Sequence, residues 1–394
     1  MKRLLLAFLT QAVLPVPALA GDGAGQSLLR AAKSVLTLID SMAVSGIDRS
    51  YIGVPRRPWQ LMVRGNVNQA NLKMSSTIDA SQKFLSLQGD LLTEPNITSE
   101  NGMFVGVWGG YRGYGLGYMK QVSGAGSASL FTLGATGSSY GINFRRHIFE
   151  TDEFEVRNKG QETTGERFDT IMTSDMLSAV RVKSFILDGY YMFNNRRFSY
   201  SAAYDQSAYQ LRSAGSLVAG AMYYYSNISY DDPINADMMF TMDNIGRLKQ
   251  WQISLGAGYA YNYVPVRGLL ISGMVMPMLT VYNRLKIFRY DSKYRQMAED
   301  EQILYSEDDL IRLMMDTLID PGAMGLRPDA ENPEESVTSR MRVNFNARAS
   351  LTYNLGEWAY VNAYGQLYNF RFRHDENNGR LTEWFVNASL GIRL

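Results

Sequence analysis

The chain has 394 residues, nearly cancelling charge (39 Lys+Arg against 38 Asp+Glu), two histidines and no cysteine. Without cysteine there is no disulfide framework, lipoprotein anchor, thiol catalyst or Cys-based zinc site, and two histidines are too few for a His-rich metal centre. Balanced charge argues against a nucleic-acid partner, and an apolar content of 46% argues against disorder.

At the N-terminus, Lys2 and Arg3 precede an apolar run from Leu4 to Leu14, and Ala18-Leu19-Ala20 precedes Gly21. A charged start, a short apolar stretch and a small-x-small site predict a signal peptide over 1–20. Residues 21–57 follow as an amphipathic helix and linker. The helix carries Leu28, Ala32, Val35, Leu36, Ile39 and Met42 on one stripe. It is expected to lie in a lumen, to pack under a barrel or to fray. No later stretch supplies about 20 uninterrupted apolar residues, the length a membrane helix needs.

Residues 58–394 alternate with period two. Met341, Val343, Phe345, Ala347, Ala349, Leu351 and Tyr353 make one face; Arg342, Asn344, Asn346, Arg348, Ser350, Thr352 and Asn354 make the other. Trp251 to Tyr263 and Trp384 to Leu394 repeat the pattern. Side chains point to opposite faces at each step of a strand. These runs exceed the usual five or six residues of soluble strands, and aromatics cluster towards their ends, like the girdles of outer-membrane barrels. The fold class expected is all-β: a single up-and-down antiparallel transmembrane β-barrel.

Strands are expected to begin near Trp59, Met103, Gly113, Ala128, Ser138, Arg181, Gly215, Gln250, Gly268, Met341, Glu357 and Leu381, about twelve in all. Short turns at Gly110–Arg112, Ala135–Gly137, Val264–Arg267 and Asn354–Gly356 then face the periplasm. Long connections near 69–101, 151–180, 230–248 and 285–340 fall outside, the last bearing a helix from Ser306 to Leu318. One stretch resists this scheme: Asn194–Ala214 is long yet periplasmic. Were Arg197–Tyr204 and Gln82–Gln88 both strands, the count would be fourteen.

The stretch Tyr190-Tyr191-Met192-Phe193-Asn194-Asn195-Arg196-Arg197-Phe198-Ser199-Tyr200-Ser201-Ala202-Ala203-Tyr204, continued by Gln206-Ser207 and Gln210 to Gly215, resembles a family. So do Asp48-Arg49-Ser50-Tyr51-Ile52, Tyr111 to Tyr118 and Gly258-Tyr259-Ala260-Tyr261-Asn262. The chain is similar to a domain-of-unknown-function family of outer-membrane barrels from Bacteroidota, whose members usually carry Pro where this chain has Ser201. The resemblance implies a secreted outer-membrane protein of a Gram-negative bacterium. It brings no reaction, substrate, cofactor or catalytic residue.

Inward positions in this register include Arg145, His147, Asp188, Arg342, Arg348, Gln366 and Arg393. They line either a cation-rich passage that concentrates anions or a lumen filled with paired ions. Arg196, Arg197, Tyr200, Tyr204 and Arg212 are placed at the periplasmic mouth, as a constriction or docking surface. The plainer alternative is a strand and a capped turn whose arginines pair with Asp188 and Asp205. His147 and His374 are the two possible bases of a barrel hydrolase, but no Gly-x-Ser-x-Gly elbow accompanies them. The acidic run Glu299 to Asp309 reads as a solvated charge cluster. Trp384, Ile392 and Leu394 on the last strand are expected to form the signal read by the barrel-assembly machinery.

Three functions are consistent with these residues. The first is passage of small, anionic solutes. The second is a non-conducting structural partner docking a periplasmic or surface protein. The third, least favoured, is a hydrolase. Besides the assembly machinery and any docked protein, the partner is outer-membrane lipid.

Overall fold

Alternation over more than ten residues makes a strand with one apolar and one polar face, and such strands bury both only by closing on themselves. The computed structural model describes residues 22–79, 87–99, 101–123, 128–229, 245–291, 327–328, 334–338, 342–374 and 377–394. The signal peptide, the 82–86 part of the fourteen-strand alternative, the 306–318 helix and the acidic run lie outside the described residues.

In chain order the strands are β1 (Ile52–Gly53), β2 (Trp59–Asp79), β3 (Asp90–Thr98), β4 (Gly102–Tyr111), β5 (Tyr114–Ser123) and β6 (Ser129–Thr136). Then come β7 (Tyr140–Gln161), β8 (Arg167–Met192), β9 (Tyr209–Gln210), β10 (Ala214–Ser229), β11 (Ile245–Tyr263) and β12 (Leu269–Asp291). The last are β13 (Arg327–Pro328), β14 (Glu334–Thr338), β15 (Arg342–Asn354), β16 (Ala359–His374) and β17 (Asn377–Arg393). A helix covers Asp22–Val44 and a short one Tyr200–Tyr204.

Twelve strands close a ring in the order β2, β4, β5, β6, β7, β8, β10, β11, β12, β15, β16, β17 and back to β2. The first and last strands are joined by Leu394 N–H donating to Trp59 O at 2.9 Å. The twelve-strand expectation holds. The fourteen-strand alternative fails at Arg197–Tyr204, which is a turn followed by a helix. The short turns fall where period-two patterning breaks, at Arg112–Gly113, Gly137–Ser139, Val264–Gly268 and Leu355–Trp358. Arg112 and Gly113 both have positive φ (50° and 89°), which makes that turn two residues long.

Two of the long outside connections are not loops. The chain over 151–180 continues as paired strand: β7 and β8 stay hydrogen-bonded out to Gln161 and Arg167, across one register shift between Thr151 and Glu153. The 69–101 stretch carries β2 on to Asp79 and returns as β3, which pairs with β2 on one side and β7 on the other. Beyond the ends of β4, β5 and β6 that lie away from the short turns, a single strand therefore takes the place of three, and the ring narrows. Alternation marked the strands, but the point where they leave the membrane has no period signal.

Apolar side chains form an exposed band around the ring, among them Val63, Val105, Leu217, Leu255, Val275, Val343, Val361 and Leu390. A continuous apolar band on a closed barrel is a lipid-facing surface. Exposed Tyr191, Phe193, Tyr259, Tyr261, Tyr353 and Trp358 ring its turn-side edge. No described helix is long and apolar enough to cross a membrane.

The interior has two zones. Towards the end away from the short turns it is apolar: Leu72, Val182, Ile228, Leu285 and Leu381 pack together, and Tyr224 stacks on Phe370 with ring centroids 3.8 Å apart. Towards the turn end it is polar and ionic, and there the chain folds back into it.

Candidate functional site

The link between β8 and β10 is an inward plug. Phe198, Tyr200, Ala202, Ala203 and Gln206 are all buried inside the ring. The Ser199 hydroxyl caps the short helix by accepting from Ala202 N–H at 3.1 Å. The wall is cut back to receive it: a Cβ on Gly141 would come within 2.5 Å of the Tyr200 ring.

Gln210 fastens the plug's two ends. Its Oε1 accepts from Ser199 N–H and from Asn262 Nδ2, both at 2.9 Å, and its Nε2 donates to Arg197 O and Arg212 O at 2.6 and 2.8 Å. β9 pairs with β1, and Asp48 N–H donates to Arg196 O at 2.8 Å, so the 48–53 segment clamps the plug from below. Arg393 holds it from the last strand. Its Nη2 donates to Gln206 O and Asn354 Oδ1, both at 2.9 Å, and the guanidinium lies close to the Tyr209 and Tyr360 rings. The four pieces of sequence that carried the family resemblance meet here: 48–52, 111–118 through Gly113, 190–215, and 258–262 through Asn262. A Cβ on Gly113 would strike Thr136 Oγ1 and Ser207 Oγ.

Asp205 ends the plug helix. It accepts from the Thr136 hydroxyl and from Ser207 N–H, the latter at 2.8 Å. Burial pushes its carboxyl above the usual carboxylate range despite those donors.

Above the plug lies an ionic network drawn from opposite walls. Arg348 Nη2 donates to Asp188 Oδ2 at 2.8 Å and to Tyr190 OH at 2.6 Å, and its Nη1 donates to Tyr200 OH on the plug. Tyr368 OH and Asn143 Nδ2 also donate to Asp188, each at 2.8 Å. Gln366 Nε2 donates to Asn346 Oδ1 at 3.1 Å and its Oε1 accepts from Tyr364 OH. Arg348 is 4% exposed and Asp188 1%. A charge this deep is tolerable only when paired and hydrogen-bonded, and this pair is.

A second cluster gathers around Glu383. His147, 1% exposed, has Nε2 3.1 Å from Asn68 Nδ2 and Nδ1 3.4 Å from Glu383 Oε1. The guanidinium of Arg145 lies 3.7 Å from Glu383 and 3.7 Å from the centroid of the Phe385 ring. Among the described residues no group of three or more His, Cys, Asp or Glu is placed to hold a metal.

Inward positions read from alternation therefore lie inward: Arg145, His147, Asp188, Arg348, Gln366 and Arg393. Arg342 opens β15 opposite Thr280, and its side chain lies outside the described residues, as does that of His374. Tyr200 and Tyr204 are buried in the plug. Arg196, Arg197 and Arg212 are exposed on its outer surface, and Arg197 and Arg212 stand 5.1 and 5.7 Å from the Tyr51 ring. The alternative in which these arginines pair with Asp188 and Asp205 does not hold, because Asp188 is taken by Arg348 and Asp205 by Thr136 and Ser207. Glu383 went unread in the sequence, although it shares the inward register of Arg393 on β17.

No curated protein sequence matches the chain. Among solved structures it is similar to the outer membrane protease OmpT from Escherichia coli, at 6% identity and TM-score 0.42, covering 86% of this chain and 97% of that one. It is also similar to the translocator domain of the autotransporter NalP from Neisseria meningitidis, at 8% identity and TM-score 0.27, covering 94% and 98%. A third is the toluene transporter TodX of Pseudomonas putida, at 8% identity and TM-score 0.24, covering 90% and 94%. A family model described as a domain of unknown function, DUF4421, matches residues 93–393, nearly the whole barrel, and the chain belongs to that family.

Proposed function

We propose that the protein is a non-conducting outer-membrane barrel of a Gram-negative bacterium, and that its plugged periplasmic end docks a protein with an acidic surface. The plug carries this reading. Residues 198–207 occupy the lumen and are tied to β2, β6, β11, β15 and β17. The outer face of the same segment presents Arg196, Arg197 and Arg212. Exposed Arg49, Arg56 and Arg57 on the linker and Arg267 on a neighbouring turn extend the positive charge. Clustered like charge of this kind raises the on-rate and selectivity of an oppositely charged partner.

Purified barrel in a planar bilayer is expected to pass no steady current, and deletion of 197–212 from a still-folded barrel is expected to open one. Steady conductance by the intact chain would sink the closed-barrel reading. For docking, in-cell photo-cross-linking from the exposed Leu211 should give a periplasmic adduct that is lost when Arg196, Arg197 and Arg212 are all changed to Glu. An adduct indifferent to that reversal would reject the charge-based surface.

A further inference from the structure

The wall facing the plug is unusually thin in side chains. On β5 the inward positions Gly115 and Gly117 carry none, and a Cβ at either would come within 2.8 Å of the Trp108 indole, which packs against them. The Trp108 indole seated there helps line a cavity of about 90 Å³, together with Arg64, Arg145, Thr132, Asn143, Tyr364 and Asp205 among others. That is room for roughly three water molecules. Thr132 and Arg145 are direct cross-strand partners on β6 and β7, so their side chains leave the wall together. Arg64 stands 5.0 Å from the Trp108 ring.

The donors around this cavity outnumber the acceptors. Nε, Nη1 and Nη2 of Arg145, Nε of Arg64 and Oγ1 of Thr132 are buried without a hydrogen-bond partner among the described residues. Arg145 is 6% exposed, and a guanidinium does not escape burial by losing its proton. Two of the nearby carboxylates are committed elsewhere, and the third, Glu383, pairs with Arg145 at salt-bridge range with both its oxygens also lacking a hydrogen-bond partner among the described residues. Asp188 is bonded to Arg348, Tyr368 and Asn143, and Asp205 to Thr136 and Ser207. Glu383 approaches Arg145 only to 3.7 Å, beyond hydrogen-bond length. Four guanidiniums (Arg64, Arg145, Arg348, Arg393) thus face three carboxylates (Asp188, Asp205, Glu383) inside the lower barrel, one cation in excess among the described residues.

We propose that this cavity is a binding site for a small monovalent anion, a halide or a formate-sized carboxylate, held by the guanidinium of Arg145 with Arg64 and the Thr132 hydroxyl. The anion supplies the missing acceptor, and the small volume favours a small one. Tyr200, Tyr204 and Asp205 of the plug form part of the lining, so the bound anion also joins plug to wall. The site is independent of the docking surface proposed above.

The test is thermal unfolding of the full-length barrel in neutral detergent, titrated with chloride or formate against gluconate at constant ionic strength. A saturable rise in midpoint with chloride and formate, absent with gluconate, is expected for the native chain. Arg145→Met should abolish the rise. Glu383→Gln removes the competing carboxylate and should tighten apparent affinity about tenfold; Thr132→Val should weaken it. Equal midpoints in chloride and gluconate, or a rise that persists in Arg145→Met, would overturn the site. Should Arg145→Met not fold, an affinity unchanged in both Glu383→Gln and Thr132→Val overturns it equally.

Discussion

Arg348 shows how one side chain can organise the interior of a barrel. It joins β15 to Asp188 and Tyr190 on β8 and to Tyr200 on the plug, and it stacks 4.3 Å over the Tyr190 ring. Replacing it with Met leaves Asp188 buried and without its counter-charge. Loss of one partner of a buried pair costs about 3–5 kcal/mol, so Arg348→Met should lower unfolding free energy by about that amount in urea titrations of the micelle-bound barrel. Adding Asp188→Asn should recover part of the loss, because the uncompensated charge goes. An additive double variant would show that the two do not act as a pair. The alternation of β15 already placed Arg348 inward and that of β8 placed Asp188. Their pairing was not legible, because the residues are 160 positions apart and period two carries no information about which walls face each other.

At the scale of the element, the plug is where local pattern and tertiary structure part. Arg197–Tyr204 alternates well enough to suggest a strand, yet Tyr200–Tyr204 is helical. A strand needs a neighbour with a free edge, and the ring leaves none; a capped helical turn satisfies its own backbone instead. Its burial has a pH consequence at Asp205. The folded carboxyl is raised above 3.8, the ordinary value, by desolvation. In the window between the two values the folded state holds a proton that the unfolded state has lost, so stability falls as pH rises through it. The contribution is complete below about 3.8 and is lost above the folded value. Thermal unfolding midpoints should therefore drop between acidic and neutral pH, and Asp205→Asn should flatten that drop. An identical pH profile in Asp205→Asn would mean that Asp205 does not carry it.

For the whole molecule, closure depends on the last strand. β17 pairs with β16 and with β2 along nearly its whole length, and exposed Leu394 and half-buried Trp384 and Ile392 lie on its lipid-facing side. Changing Ile392 and Leu394 to Asp puts charge on that face and removes the apolar C-terminal register. The double variant should fail to assemble and lose the heat-modifiable gel shift of a folded barrel; a normal shift would refute the assembly role. The sequence by itself determined about twelve strands with fourteen left open, the inward and outward faces, and the short turns to within a couple of residues. Each follows from a local rule: side chains alternate, and tight turns need positive φ or a break in pattern. Only the tertiary structure decided that 198–207 turns inward, that β3 bridges β2 to β7, and that Arg348 pairs while Arg145 faces a cavity. Those outcomes rest on which surfaces meet across the lumen, and contacts between residues far apart in the chain leave no periodic trace in it.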